Sequence, residues 1–203
     1  MEVKEGVRDD GKERTTIHGG QGFKVLPGSG PEEVLSIFGS MEELLSYIEY
    51  HAWAHEKVLG QLAALPAEDW RKQLGGSFPT LNALYQHIME ADYRWLQRWK
   101  GVPFAEIPKD YIVNGFAALN TLWRPILHEV VSLGKERLTK DGREPVYFIT
   151  GKGLHVTQPF WQTLYQVVNH GTYHRGQVTQ MVRMLGKTPV TTDIFIFFNE
   201  KAS

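Results

Sequence analysis

Two histidines spaced four residues apart, His170 and His174, constrain this chain more than any other feature of its sequence. They lie in a run whose apolar residues recur at helical spacing, namely Leu164, Val167, Val168, Met181, Val182 and Leu185. Residues four apart stack on one helix face with their Cβ atoms about 5–6 Å apart. Two imidazoles so placed can bind one metal ion through nitrogens at about 2.0–2.1 Å. The spacing predicts a helix with both histidines facing inward, although hydrogen-bonded core histidines would show the same pattern.

Three further long amphipathic helices are predicted from apolar residues that recur at helical spacing. The second of the four helices has two candidate N-caps, Ser77 and Thr80, and the third contains Pro125, which should kink it or delay its start. The four helices are predicted over 41–65, 80–100, 114–140 and 158–185. Four such helices indicate an all-α four-helix bundle, in which metal sites are built from inward side chains on facing helices.

A short β-hairpin is predicted just before the last long helix, because residues 145–150 and 154–157 flank the turn sequence Gly151-Lys152-Gly153. After that helix, residues 190–198 form an apolar run that we interpret as an extended C-terminal tail. An exposed apolar strand would promote aggregation. The tail is therefore expected to pack against the bundle or against a second subunit, which favours a homodimer.

The chain divides at about residue 40. Residues 1–40 are rich in glycine and charge and contain breaker sequences such as Gly19-Gly20, so they are predicted to be an N-terminal extension. Residues 41–203 are predicted to form the bundle domain.

Composition excludes several function classes. The net charge of −1 argues against a nucleic-acid partner, because such proteins usually carry a basic face. No apolar run approaches the ~18 residues that cross a bilayer, and no signal-peptide core is present, so we expect a cytoplasmic protein without a membrane partner. The chain has no cysteine. Any bound metal must therefore be held by imidazole, carboxylate or water.

A third inward histidine comes from the second helix, where His87 lies beside the apolar stripe that contains Leu84 and Ile88. Three nitrogens with a fourth position open to water are typical of a catalytic zinc site. Neutral imidazoles also suit nickel, iron and manganese. We expect a divalent metal ion, zinc or nickel in the first place. His51 and His55 of the first helix are expected to be core or rim residues.

Several stretches of the chain resemble the DinB-like family of metal-binding four-helix bundles, named for damage-inducible proteins. They are Tyr50-His51-Ala52-Trp53-Ala54, Ser77-Phe78, Leu84-Tyr85-Gln86-His87-Ile88, Trp95 before Gly101, the string from Val168 through His170 and His174 to Gln177, and Pro189 through Asp193. The resemblance spans roughly residues 41–198. It implies that His87, His170 and His174 occupy the positions of the family's metal triad. The family usually has asparagine where this chain has His55, which leaves open a fourth nitrogen near the site or a substituted polar core residue.

The resemblance also implies a class of reaction. Members of the family with assigned chemistry are mostly thiol-dependent, either transferases that join a thiol such as bacillithiol to electrophiles or mycothiol-dependent isomerases. We therefore expect a metal-dependent enzyme, a thiol S-transferase or a hydrolase, that activates a low-molecular-weight thiol or water. Its partners would be a small-molecule thiol and an electrophile, and no catalytic residue is evident.

The residues around the predicted triad have candidate roles beside more ordinary ones. Arg175 could steer an anionic group or form a surface ion pair. Tyr173, Trp53 and Trp95 could line a pocket, although core packing explains the tryptophans equally well. Glu90 lies three residues after His87 and could orient its imidazole.

Two alternatives to an enzyme remain at this point. The first is a non-catalytic metal-binding or small-ligand-binding bundle of the stress response, in which His55 could complete a closed site. The second is a bundle without metal, whose three histidines are neutral and hydrogen-bonded.

Overall fold

The structure is a computed structural model that describes residues 41–202. The helices are α1 (Met41–Ala63), α2 (Ala67–Arg71), α3 (Leu81–Trp99), α4 (Phe116–Asp141), α5 (Phe160–Met184) and α6 (Ile194–Ala202). A 3₁₀ helix covers Lys109–Tyr111, and the strands are β1 (Pro145–Ile149) and β2 (His155–Pro159). The predicted N-terminal extension lies outside the described residues, so the division at residue 40 stays a prediction.

The four long helices form a bundle in which α1 and α3 each pack against both α4 and α5. The order around the bundle is therefore α1, α4, α3, α5. Large apolar side chains from all four helices fill the interior, among them Ile48, Leu84, Trp123 and Val168. Burying one such side chain contributes about 1.5–3 kcal/mol. The predicted all-α four-helix bundle is confirmed. No helix between residues 41 and 202 is both long enough and apolar enough to cross a membrane.

Local sequence sets where the helices begin. Thr80 is the N-cap of α3, and its Oγ1 accepts a hydrogen bond of 3.0 Å from the backbone N–H of Ala83. This bond satisfies an N–H group that has no partner within the helix. Gly115 precedes α4 with a φ of 111°, which side chains disfavour. α4 then continues past Pro125, which is exposed.

The β-hairpin lies immediately before α5, as predicted. Its strands are antiparallel, with Val146 opposite Gln158 and Phe148 opposite Val156. Val146 and Phe148 are buried, because alternate residues of a strand point to the same side. β2 ends at Pro159 and α5 begins at the next residue, so the hairpin leads directly into the helix that contains His170 and His174.

The prediction of an extended tail over residues 190–198 is wrong from Ile194 onward, where the chain forms α6. Phe197 is only 7% exposed. Its ring lies 5.9 Å from that of Tyr50 and 5.7 Å from that of Trp53, measured between centroids. A short apolar run is compatible with either a strand or a helix, and here packing against α1 decides between them.

A helix suits this contact because residues three and four apart share one face. Phe197, Glu200 and Lys201 have that spacing, and all three contact α1. Glu200 accepts a hydrogen bond of 2.8 Å from Nε1 of Trp53. Lys201 donates one of 2.7 Å to Glu49. In a strand, Phe197 and Glu200 would point to opposite sides.

Glu49 links three helices, and its titration should appear in the pH dependence of stability. Its carboxylate accepts hydrogen bonds from Lys135 of α4 and Lys201 of α6, which hold its pKa below the usual value. Such stabilisation is present above the unfolded pKa of about 4.3 and is lost as the pH falls through the folded pKa. We expect Glu49→Gln to lower the free energy of unfolding by about 0.5–1 kcal/mol at neutral pH, and by progressively less in acid.

Urea unfolding of the wild type and the variant at several pH values measures this difference. Glu136→Gln is the matched control, because Glu136 pairs with Lys140 within α4 and joins no two helices. Its effect at neutral pH should be smaller. A difference between Glu49→Gln and wild type that persists undiminished well below the unfolded pKa would contradict the prediction.

Candidate metal centre

Three histidines from two helices converge in the bundle. His87 projects from α3, and His170 and His174 project from α5. One possible ligand atom from each lies within 4.8 Å of the other two, and the Nε2 atoms of His87 and His170 are 3.2 Å apart. The 3.2 Å separation matches what one ion bound at about 2.0–2.1 Å from both nitrogens requires. The three side chains can therefore share one cation.

Burial keeps the imidazoles of His87 and His170 uncharged at neutral pH. Burial and, to a smaller extent, the charges of His174 and His87 lower the pKa of His170 to about 4. Burial also lowers the pKa of His87. Neutral imidazole is the form in which histidine binds a metal, so these side chains need not lose a proton first. The donor set fits a divalent cation.

A neighbouring amide orients His174. Its Nδ1 lies 2.7 Å from Oε1 of Gln177, one helical turn further along α5. Because an amide oxygen only accepts hydrogen bonds, Nδ1 carries the hydrogen and the lone pair is on Nε2. Second partners of this kind fix the tautomer and ring orientation of metal-binding histidines.

The centre is covered on one side and open on another. The ring centroid of Phe78 lies 4.8 Å from that of His87 and 5.6 Å from that of His174. His174 is buried, whereas His87 and His170 are partly exposed. An exogenous donor can therefore approach from the exposed side. Phe78 occurs in a stretch that resembles the family, but the sequence did not assign it a role at the site.

Of the aromatic residues predicted to line a pocket, Trp95 lines a cleft beside the hairpin, whereas Trp53 packs against α6 and Tyr173 faces solvent. Trp53 packs against Phe197 of α6, and Trp95 packs against Phe148 of the hairpin. Trp53 takes the core-packing role that the sequence had left as the alternative, whereas Trp95 both packs in the core and lines a cleft of about 470 Å³ with Tyr165 and Asn169. Tyr173 lies beside His174, with ring centroids 5.0 Å apart, but is 65% exposed.

Glu90 is engaged by its own helix. It forms an ion pair of 3.3 Å with Arg94 and accepts a hydrogen bond of 3.1 Å from Gln86. Its charge raises the pKa of His87, but by less than burial lowers it. Glu90 therefore acts on His87 through its charge, while its carboxylate oxygens are bound by Arg94 and Gln86.

Arg175 occupies a position that the sequence did not predict. It is 2% exposed. Its Nη2 donates hydrogen bonds to the hydroxyl of Tyr50 at 3.1 Å and to Oγ1 of Thr172 at 2.8 Å, and its Nη1 donates to Nε2 of His55 at 3.1 Å. The guanidinium is thus bound within the core. Neither a surface ion pair nor steering of a dissolved anion fits this position.

A sequence model of the DinB family matches residues 41–201, from the start of α1 into α6. This chain belongs to the DinB family. One similar protein is Protein DinB of Bacillus subtilis (strain 168), which is 26% identical over 167 residues that cover 76% of this chain and 95% of the relative. The match confirms the resemblance stated from the motifs.

His55 belongs to a second buried group. It lies with His51 and Asp92, and one potential ligand atom from each is within 4.8 Å of the others. A guanidinium can only donate hydrogen bonds, so Nε2 of His55 accepts from Arg175 and Nδ1 carries the hydrogen. That nitrogen has no lone pair for a metal. As arranged, His55 is part of a polar core network and does not lie with His87, His170 and His174.

Gly171 allows α5 to pack closely against α1 in this DinB bundle. A Cβ atom at Gly171 would lie 2.8 Å from Cε1 of His51 and 2.9 Å from Nη1 of Arg175. These distances are too short for carbon, and both neighbours are buried. We expect Gly171→Ala to lower the free energy of unfolding by about 1–3 kcal/mol, as measured by urea denaturation.

Gly176→Ala is the matched control in the same helix. No atom lies within 4 Å of a Cβ added there, and alanine favours a helix over glycine by about 0.5–1 kcal/mol. This variant should be slightly more stable than the wild type. Equal effects of the two substitutions would show that the close approach at Gly171 is not a constraint.

Proposed function

We propose that this protein binds a divalent metal ion through His87, His170 and His174, and that it is a metal-dependent enzyme that activates a low-molecular-weight thiol or water. One observation carries the proposal: three imidazoles from α3 and α5 converge with potential ligand atoms within 4.8 Å of one another. Zinc and nickel are the first candidates, and iron and manganese also accept imidazole ligands. A bound divalent ion would lower the pKa of a thiol or water and so supply an anionic nucleophile near neutral pH.

The side chains around the three histidines support this function. Gln177 holds His174 in the tautomer with a free Nε2 lone pair. Phe78 covers the centre on one side and limits access of water there. The partly exposed His87 and His170 leave a path for a thiol or water. Because the chain contains no cysteine, the thiol of a transferase reaction would come from a small-molecule cosubstrate.

Metal binding itself is tested by the stoichiometry of zinc and nickel after dialysis against each metal, measured by elemental analysis on protein without a histidine tag. We expect one bound ion per wild-type chain. His170→Ala should bind much less than one ion per chain. His128→Ala is the control, because His128 is exposed on α4. It should retain the wild-type stoichiometry. Equal metal content in the wild type and His170→Ala would overturn the assignment of the ligands.

Catalysis is tested separately with the zinc-loaded and nickel-loaded wild type. Each form is mixed with a set of low-molecular-weight thiols and a reactive electrophile, and loss of free thiol is followed. We expect turnover that disappears with a chelator and in His170→Ala. Hydrolysis is followed in parallel with an activated ester as the substrate. If metal binds but no thiol is consumed and no ester is hydrolysed, the enzymatic part of the proposal fails while the metal centre remains.

That outcome would favour the second candidate, a non-catalytic metal-binding or small-ligand-binding bundle of the stress response. The engagement of Glu90 by Arg94 and Gln86 favours this second candidate, because it makes a carboxylate that acts on His87 less available as a general base. The predicted homodimer also stays a proposal. The exposed side chains of Phe195 and Phe198 on α6 support it, since burying them would stabilise a subunit contact.

A further inference from the structure

A small pocket adjoins the three-histidine centre. Its volume is about 300 Å³, and it lies between residues 74–78, the start of α3 and the C-terminal half of α5. The residues that line it are Leu74, Gly75, Gly76, Ser77, Phe78, Leu84, Gln177, Gln180, Met181 and Met184. A pocket of this size lies at the lower end of the range for small-molecule sites.

The pocket and the centre share two side chains. Phe78 lines the pocket and packs its ring against those of His87 and His174. Gln177 also lines the pocket and accepts the hydrogen bond from Nδ1 of His174. A molecule in the pocket would therefore contact the same side chains that cover and orient the candidate ligands.

The chemistry of the lining is apolar and uncharged. Among the residues that the structure describes, two leucines, two methionines and one phenylalanine form most of its surface, and the polar side chains are Ser77, Gln177 and Gln180. Methionine side chains adapt to ligands of irregular shape and contact aromatic rings favourably. An ionic group placed here would lose hydration without gaining a charged partner.

Two other clefts in the described residues carry charged side chains, and a third, of about 470 Å³, is lined by three glutamines, Asn169 and aromatic rings. A cleft of about 660 Å³ between α1, α5 and residues 189–194 contains Arg183 and Asp193. Another, of about 530 Å³ beside the hairpin, contains Arg98 and Lys140 among other charged residues. These clefts suit charged or strongly polar ligands and do not share side chains with the three histidines.

We propose that the pocket beside Phe78 binds an uncharged, largely apolar small molecule, and that this molecule is the substrate that the enzyme acts on. The second part rests on the proposed function. The first part does not, because the walls of the pocket are formed without a metal. Phe78 is then the residue that positions the substrate next to the centre, and Met184 at the partly exposed rim contributes to selection against charge.

A matched pair of fluorescent probes tests the binding. N-phenyl-1-naphthylamine is neutral, and 8-anilinonaphthalene-1-sulfonate has the same rings with an added sulfonate. We expect the neutral probe to bind metal-free protein at one site per chain. The charged probe should bind at least about tenfold more weakly, since its sulfonate would lie in an apolar site. Equal affinity for the two probes would overturn the proposal.

Two variants locate the site. Met184→Glu places a carboxylate at the pocket and should weaken binding of the neutral probe by about tenfold or more. Leu154→Glu is the control. Leu154 is exposed to a similar degree as Met184 (55% against 49%), but it lies outside the pocket. It should leave the affinity unchanged. If Phe195→Glu weakens the neutral probe and Met184→Glu does not, the probe binds α6 and the proposal is wrong.

Two further measurements separate this inference from the proposed function. Zinc affinity should be unchanged in Met184→Glu, and circular dichroism should show the wild-type helix content. If zinc fails to bind the wild type, the proposed function fails, but the probe results still decide whether the pocket exists. Saturating neutral probe should shift the imidazole NMR signals of His174 but not those of His128. Unshifted His174 signals would show that the probe does not bind beside the three histidines, and the proposal would be wrong.

Discussion

The packing of α1 against α5 at Gly171 is the constraint on which the interior of this bundle depends. His51 lies so near this residue that a Cβ atom would not fit. The same close approach brings Arg175 of α5 within hydrogen-bond distance of Tyr50 and His55 of α1. A buried guanidinium is costly unless acceptors surround it. The position of α1 along α5 is therefore determined by polar contacts as well as by apolar packing.

One stretch of α5 serves both this polar core and the candidate metal centre. His170 and His174 meet His87 of α3, whereas Gly171 and Arg175 meet α1. Adjacent residues of a helix are separated by about 100° around its axis, so fewer than two turns of α5 contribute to two interfaces. A rotation of α5 that relieved the contact with α1 would also move both histidines away from α3. The geometry of the centre and the packing of the core are in this way coupled.

Patterns among residues that are close in the sequence predicted much of this architecture. The long helices, the cap at Thr80 and the hairpin before α5 follow from spacing and turn chemistry, and the structure contains all of them. The apolar run after Val190 was misinterpreted because strand and helix accommodate a short run equally well, and contacts with α1 selected the helix. The role of Phe78 was missed because a single aromatic residue in a loop has no periodic pattern that reveals its neighbours.

By itself, the sequence determined that His170 and His174 share one face of a helix, because helical geometry relates residues four apart wherever the helix lies. It also excluded cysteine chemistry and thereby limited any metal site to imidazole, carboxylate and water. Only the tertiary structure decided that His87 joins these two histidines, while His55 binds Arg175 instead. All four side chains were predicted to be near the interior, but the angle between two packed helices decides which inward residues meet. That angle is set by the contacts of the whole core and has no local signature in the chain.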